Sequence, residues 1–307
     1  MPKNAIFCGH LGLGDHVILQ GAVNLLAPKY DGNFIIPCKP HSEASYKLML
    51  EQCSDKYDLS RVILVALKEE HPDATTDEAK HILKGETFNQ SWKETSVHFY
   101  DNQARKMKER FVKGELEDIA PEGGDVIRSG IMDGRTWNRL YRRYKSKYRC
   151  NSGKFFDRLF YKQLDIDHLE SWNWEPRPGR YADDLTNTLR PDCPYVFVHD
   201  DPTRNLIIDN ALLPRGLKIV RASDCYGETI FDYIPLMEQA ESCHFIDSSL
   251  ALLWDRCEGK RRGENFIHRY TRPNCTKPYY DKSYWHYFGG PVHRFRGRRR
   301  VGHETLI

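Results

Sequence analysis

Residues 5–27 restrict the fold most. An apolar run, Ala5-Ile6-Phe7-Cys8, stops at the turn Gly9-His10-Leu11-Gly12-Leu13-Gly14-Asp15. Val17, Ile18, Val23, Leu25 and Leu26 then follow at roughly helical spacing. A strand with almost no polar alternation must be covered on both faces, so a strand, a glycine turn and a helix open a parallel, helix-covered sheet. Phe34-Ile35-Ile36-Pro37, an amphipathic stretch from Ser42 to about Cys53, and Val62-Ile63-Leu64-Val65-Ala66-Leu67 continue the alternation. Residues 1–70 therefore read as βαβαβ.

The middle is mostly helical and aromatic, with helix signals near 75–84, 101–112 and 134–148 and a dense aromatic stretch from Phe155 to Trp174. Phe155, Phe156, Leu159 and Phe160 suit a buried helix face, although such rings also stack on sugars. Pro176-Arg177-Pro178-Gly179-Arg180 has the composition of a linker. Beyond it Tyr195-Val196-Phe197-Val198, Leu217-Lys218-Ile219-Val220 and Cys243-His244-Phe245-Ile246 read as strands, with helices over 231–241 and 249–257. A chain of 307 residues exceeds what one core usually serves, a limit of about 250–300 residues. The expected fold class is α/β: two Rossmann-like domains facing across a cleft, residues 1–180 and 181–290, followed by a basic tail at 291–307.

The tail distorts the net charge of +3, because residues 291–307 carry five Arg and one Glu and leave the rest of the chain at −1. Without a basic folded face, a nucleic-acid partner is not expected. No apolar stretch approaches the ~20 residues of a membrane span and the first residues lack a signal-type apolar region, so a cytoplasmic protein without a membrane span is expected. The nine Cys are widely spread with no C-x-x-C pair, which argues against a disulfide framework and a structural zinc site.

Three turns carry the chemistry. In the first, Gly12 and Gly14 let the backbone approach a ligand while free N–H groups at the helix start attract an anion. The spacing is not that of a dinucleotide fingerprint, since Val17 stands where a third glycine belongs. A tight βα turn with Asp15 as N-cap explains the same letters. In the second, strand 195–198 runs into His199-Asp200-Asp201-Pro202-Thr203-Arg204. There Arg204 and Thr203 suit a pyrophosphate, Asp200 and Asp201 suit a divalent ion, and a plain turn before Pro202 suits both carboxylates. In the third, Asp247-Ser248-Ser249 opens a helix, where small hydroxyl side chains either cap it or hold a phosphate oxygen. The loop 221–232 lies at the expected carboxyl edge of the sheet, with a capped helix carrying Asp232 in its first turn as the plainer explanation. His71-Pro72-Asp73 follows the third strand, so Asp73 also faces the expected cleft, although a loop capped by Thr75 or Thr76 accounts for it equally.

Leu13-Gly14-Asp15-His16-Val17-Ile18 with Gly21-Ala22-Val23 resembles the N-terminal loop of the heptosyltransferases and related glycosyltransferases of the GT-B architecture, departing from it in having Gly21-Ala22 where a Pro is usual. The C-terminal turns, with Phe160-Tyr161-Lys162-Gln163, Ser171-Trp172-Asn173-Trp174 and His268-Arg269-Tyr270-Thr271-Arg272, resemble glycosyltransferase-like proteins of large algal DNA viruses, some with a fucosyltransferase-like donor domain. The resemblance implies GT-B architecture and transfer of a sugar from a nucleotide-diphosphate sugar, of UDP-xylose or GDP-fucose type, to a glycan hydroxyl. It implies Asp15 as catalytic base, to which Asp73 is the rival by its position after the third strand alone. Donor binding would fall to Gly12, Gly14, His199, Asp200, Thr203, Arg204, Asp247, Ser248 and Ser249. The implied partners are the nucleotide-sugar donor and an oligosaccharide acceptor, with no cofactor and no divalent metal, and with the host cytoplasm as location for a viral protein. The other readings are a non-catalytic nucleotide- or glycan-binding protein and a metal-dependent transferase using Asp200 and Asp201.

Overall fold

A computed structural model of the chain describes residues 2–67, 90–130, 139–140, 142–143, 156–202, 205–257, 263–269 and 285–288. The fold is α/β, with two parallel sheets and helices around them. The first half contains β1 (Ala5–Cys8), α1 (Leu13–Leu26), β2 (Phe34–Cys38), α2 (Glu43–Cys53), β3 (Val62–Ala66), α3 (Gln90–Val112), β4 (Asp125–Arg128) and α4 (Phe156–Gln163). The second contains α5 (Ala182–Leu189), β5 (Tyr195–His199), β6 (Lys218–Arg221), α6 (Ile234–Gln239), β7 (Ser242–Phe245), α7 (Ser249–Arg256), β8 (Glu264–His268) and β9 (Trp285–Phe288).

The first sheet runs β3-β2-β1-β4 and the second β6-β5-β7-β8-β9, every pair parallel. Both orders are those of doubly wound, Rossmann-like sheets, in which the chain leaves the first strand on one side and later returns to its other side. The apolar strands divide their side chains between two layers. Ala5, Phe7, Phe34 and Ile36 face α1 and α2, whereas Ile6, Cys8 and Ile35 meet Ala104, Met107 and Phe111 of α3. Pro37 has no N–H to donate, and the β1–β2 ladder ends before it, at Ile6 and Ile35.

Asp15 to Asn24 of α1 are all buried. A helix covered all round needs packing on every side, and α1 obtains it from its own sheet, α2, α4 and α7, in one continuous core that also takes in Phe197, Phe245 and Trp254 of the second half. A 3-10 turn at His168–Trp172 crosses α1 so closely that a Cβ on Gly21 would strike the Glu170 carbonyl oxygen. Beside that crossing the Tyr161 hydroxyl donates to Ile18 O (2.8 Å) and accepts from Ala22 N–H (3.1 Å), the two groups that a regular helix pairs with each other.

The chain changes partners within the proline-rich segment. Arg177 still bonds to Gln52 and Asp55, whereas Gly179 N–H reaches Phe231 O, 3.2 Å away, in the second half. The helix expected over 101–112 extends back to Gln90, and that expected over 231–241 is a 3-10 turn (Ile230–Tyr233) followed by α6. Phe160 and Tyr161 are core residues. No helix among the described residues is long and apolar enough to cross a membrane. The helix signal at 75–84, most of that at 134–148, and the Arg-rich tail lie outside the described residues.

Candidate functional site

In doubly wound sheets, ligands settle at the carboxyl ends of the strands where the order reverses. In the first sheet that point lies between the turns after β1 and β4. Gly12 takes the N-cap position of α1 in extended conformation, with no side-chain cap. Asp15 is therefore not the cap that its letters allow: it is the third helical residue, with its Oδ2 folded back over Gly12. A carboxylate in a first helical turn interacts favourably with the helix dipole. His10 Nδ1 lies 3.8 Å from Asp15 Oδ2, and both side chains are largely buried. Phe160 packs on the His10 ring at 5.2 Å between centroids, and Gly130 (φ +72°), just after β4, closes against the same ring where no side chain would fit. Asp15 Oδ1 is buried and has no hydrogen-bond partner among the described residues.

In the second sheet the reversal falls between β5 and β7. Ser248, the N-cap of α7, accepts from Ala251 N–H (3.3 Å), and its Oγ lies 3.0 Å from His199 Nδ1. Ser249 is the first helical residue and Asp247 is buried just before the cap. Asp200 has a structural commitment: its Oδ2 accepts from Ile208 N–H (3.2 Å) and from the guanidinium of Arg221, which also bonds Asn210. Asp201 closes a small turn through paired backbone bonds with Leu206. In the 221–232 loop Thr229 and Asp232 form a capping box ahead of the Ile230–Tyr233 turn, the arrangement expected of a capped helix start. Thr203, Arg204 and Asp73 lie outside the described residues.

These two places adjoin. A Cβ on Gly14 would sit 3.5 Å from Ser249 Cα and 2.7 Å from Leu252 Cδ1, so the first turns of α1 and α7 touch. Two helix amino ends side by side, one next to the Asp15–His10 pair and one next to the Ser248–His199 pair, favour a negatively charged group at that edge. Among the described residues no group of three or more His, Cys, Asp and Glu side chains could hold a metal ion.

Reading the letters alone missed His10 as a partner of Asp15, Gly130 behind it and Arg221 behind Asp200. His10 was legible only as a residue of the glycine turn. Gly130 and Arg221 are brought in by strand pairing (Cys8 with Arg128, Val198 with Arg221), which no local pattern reveals. Comparison of the chain with protein-family models, curated proteins and solved structures returns no match.

Proposed function

We propose that the chain is a glycosyltransferase of GT-B type that moves a sugar from a nucleotide-diphosphate sugar to a glycan hydroxyl, with inversion and without a metal ion. The observation that carries this reading is the contact of Gly14 with Ser249, which sets a buried carboxylate–imidazole pair beside the amino end of α7. In this reading the acceptor hydroxyl lies at Asp15, which takes its proton as the oxygen attacks the anomeric carbon, and His10 holds the carboxylate in place. The bond from the anomeric carbon to the diphosphate oxygen breaks on the opposite face, and the leaving nucleotide diphosphate carries away that electron pair. The dipole of α7, the Ser248–Ser249 N–H groups and Arg204 offset its charge. Asp73 remains the rival base. The engagement of Asp200 by Arg221 disfavours the metal-dependent reading, because a ligand already bonded to a guanidinium is poorly placed to hold a cation.

The test is a thermal-shift panel with UDP, GDP, ADP, CMP and their sugars, including UDP-xylose and GDP-fucose, followed by transfer assays with and without chelator. One nucleotide class should raise Tm in proportion to its affinity. Asp15→Asn should lower transfer by about 10²–10⁴-fold while leaving that shift in place. A panel without any shift, or full transfer by Asp15→Asn, overturns the assignment, and activity lost in chelator overturns its metal-free form.

A further inference from the structure

Where β4 ends, its ladder to β1 stops with Ser129 N–H on Cys8 O (3.0 Å). Gly130 then leaves the sheet in the left-handed region (φ +72°) and is buried, so its N–H and C=O need partners that the sheet no longer supplies. One side chain meets both needs. Gln163 Oε1 accepts from Gly130 N–H (2.6 Å), and Gln163 Nε2 donates to Gly130 O (3.1 Å). This clasp joins residues 33 apart and fixes the last residue of α4 to the turn after β4.

The clasped turn is the one that backs the imidazole beside Asp15. Gly130 abuts the Cδ2–Nε2 edge of the His10 ring, while Nδ1, on the other side of that ring, lies 3.8 Å from Asp15 Oδ2. Phe160, three residues before Gln163 and so on the same face of α4, packs on the His10 ring at 5.2 Å between centroids. The next residue, Tyr161, bonds α1 at Ile18 and Ala22, about one and two turns beyond Asp15. One short helix therefore holds all three pieces of the pair's surroundings: α1, which carries Asp15, the His10 ring, and the turn behind that ring. Two reacting groups keep a productive geometry only where such outer contacts lock them. An amide does not titrate, so what Gln163 contributes is placement.

We propose that Gln163 is a positioning residue for the carboxylate–imidazole pair: by clasping Gly130 it keeps the His10 ring against Phe160 and turned toward Asp15. This rests on the transferase reading, in which Asp15 takes the acceptor proton. The test uses the full chain, Gln163→Ala, and Gln163→Met, which keeps the length of the side chain and removes both bonds. Three quantities are measured: the nuclear Overhauser effect between the His10 and Phe160 rings, kcat for transfer from the nucleotide sugar that raises the parent's Tm, and the size of that rise. His10→Gln identifies the His10 resonances by their loss. In both Gln163 variants the ring-to-ring effect should weaken and kcat should fall by about 10- to 100-fold, whereas the nucleotide sugar should raise Tm as much as it does in the parent. Unchanged kcat in either folded variant, an unchanged ring-to-ring effect in both, or a nucleotide shift lost along with kcat overturns the proposal. A parent that transfers no sugar sinks the transferase reading and this one with it, whereas an active parent matched by its Gln163 variants sinks this one alone.

Discussion

The Ser248 hydroxyl and His199 Nδ1 lie 3.0 Å apart, and the bond between them spans the two turns that part company where the second sheet reverses its order. The same hydroxyl caps α7. One side chain thus fixes the start of a helix and the end of a neighbouring strand at the place where doubly wound sheets hold their ligands.

Ser248→Ala removes both bonds. Loss of the cap alone costs about 1 kcal/mol, equivalent to a Tm drop of about 2–4 °C for a domain of this size. Ser248→Thr retains the cap and should recover most of that drop. Thermal melting of the three proteins decides the matter: an Ala variant as stable as the parent would mean that neither bond contributes.

Arg221 and Asp200 form the buried ion pair behind this site, the Asp200 side chain being fully covered and that of Arg221 mostly so. Removing one member of such a pair leaves a charge without compensation and typically costs about 3–5 kcal/mol, whereas removing both costs much less. Arg221→Gln should therefore lower the urea midpoint further than the double variant Arg221→Gln, Asp200→Asn. Additive losses in that cycle would show that the pair is not coupled.

How much of this was readable from the letters varied with the local pattern. β1, β2 and β5 are continuous apolar runs, and they announce themselves because both their faces are covered. β4 (Asp-Val-Ile-Arg) has only two apolar residues and lies half-exposed at a sheet edge, so nothing in its sequence separates it from a loop. β8 and β9, Glu-Asn-Phe-Ile-His and Trp-His-Tyr-Phe, mix polar and aromatic residues on a face where His244, Phe266, His268, His286 and Phe288 stack on one another. The bond between His244 Nδ1 and His268 Nε2 (2.9 Å) joins residues 24 apart, and only strand register brings them together. For the candidate site, the turns were legible and the pairings were not.

At Gly21 the strap formed by the 3-10 turn His168–Trp172 rests on α1, and the obstacle to a side chain there is the backbone carbonyl of Glu170, which no rotamer change can clear. Gly21→Ala should destabilise the chain by at least the ~1–3 kcal/mol of an overpacked core, despite the better helix propensity of Ala. The displaced strap would also disturb the bonds of Tyr161 to Ile18 and Ala22. Urea unfolding checks this, and an unchanged midpoint would mean that the strap does not rest on the helix.

His16 is buried, with its ring 4.2 Å from that of Tyr46 and no partner for either nitrogen among the described residues. Burial pushes its pKa down to about 4, and burial likewise lowers His244 to about 3 and His268 to about 4. In the unfolded chain all three would titrate near 6.5. Between about pH 6.5 and those lowered values the unfolded state binds more protons than the folded one. The stability these neutral rings contribute is therefore complete above about pH 6.5 and is lost as the medium is acidified toward pH 4 and below. His16→Phe keeps a flat ring against Tyr46 and removes two nitrogens that have no partner among the described residues. It should be at least as stable as the parent at pH 7.5 and should lose stability less steeply between pH 6.5 and 4.5, by the share of one proton, about 1.4 kcal/mol per pH unit. Urea midpoints measured across that range give the slope. Parallel curves for the two proteins would mean that His16 binds its proton as readily in the folded chain as in the unfolded one.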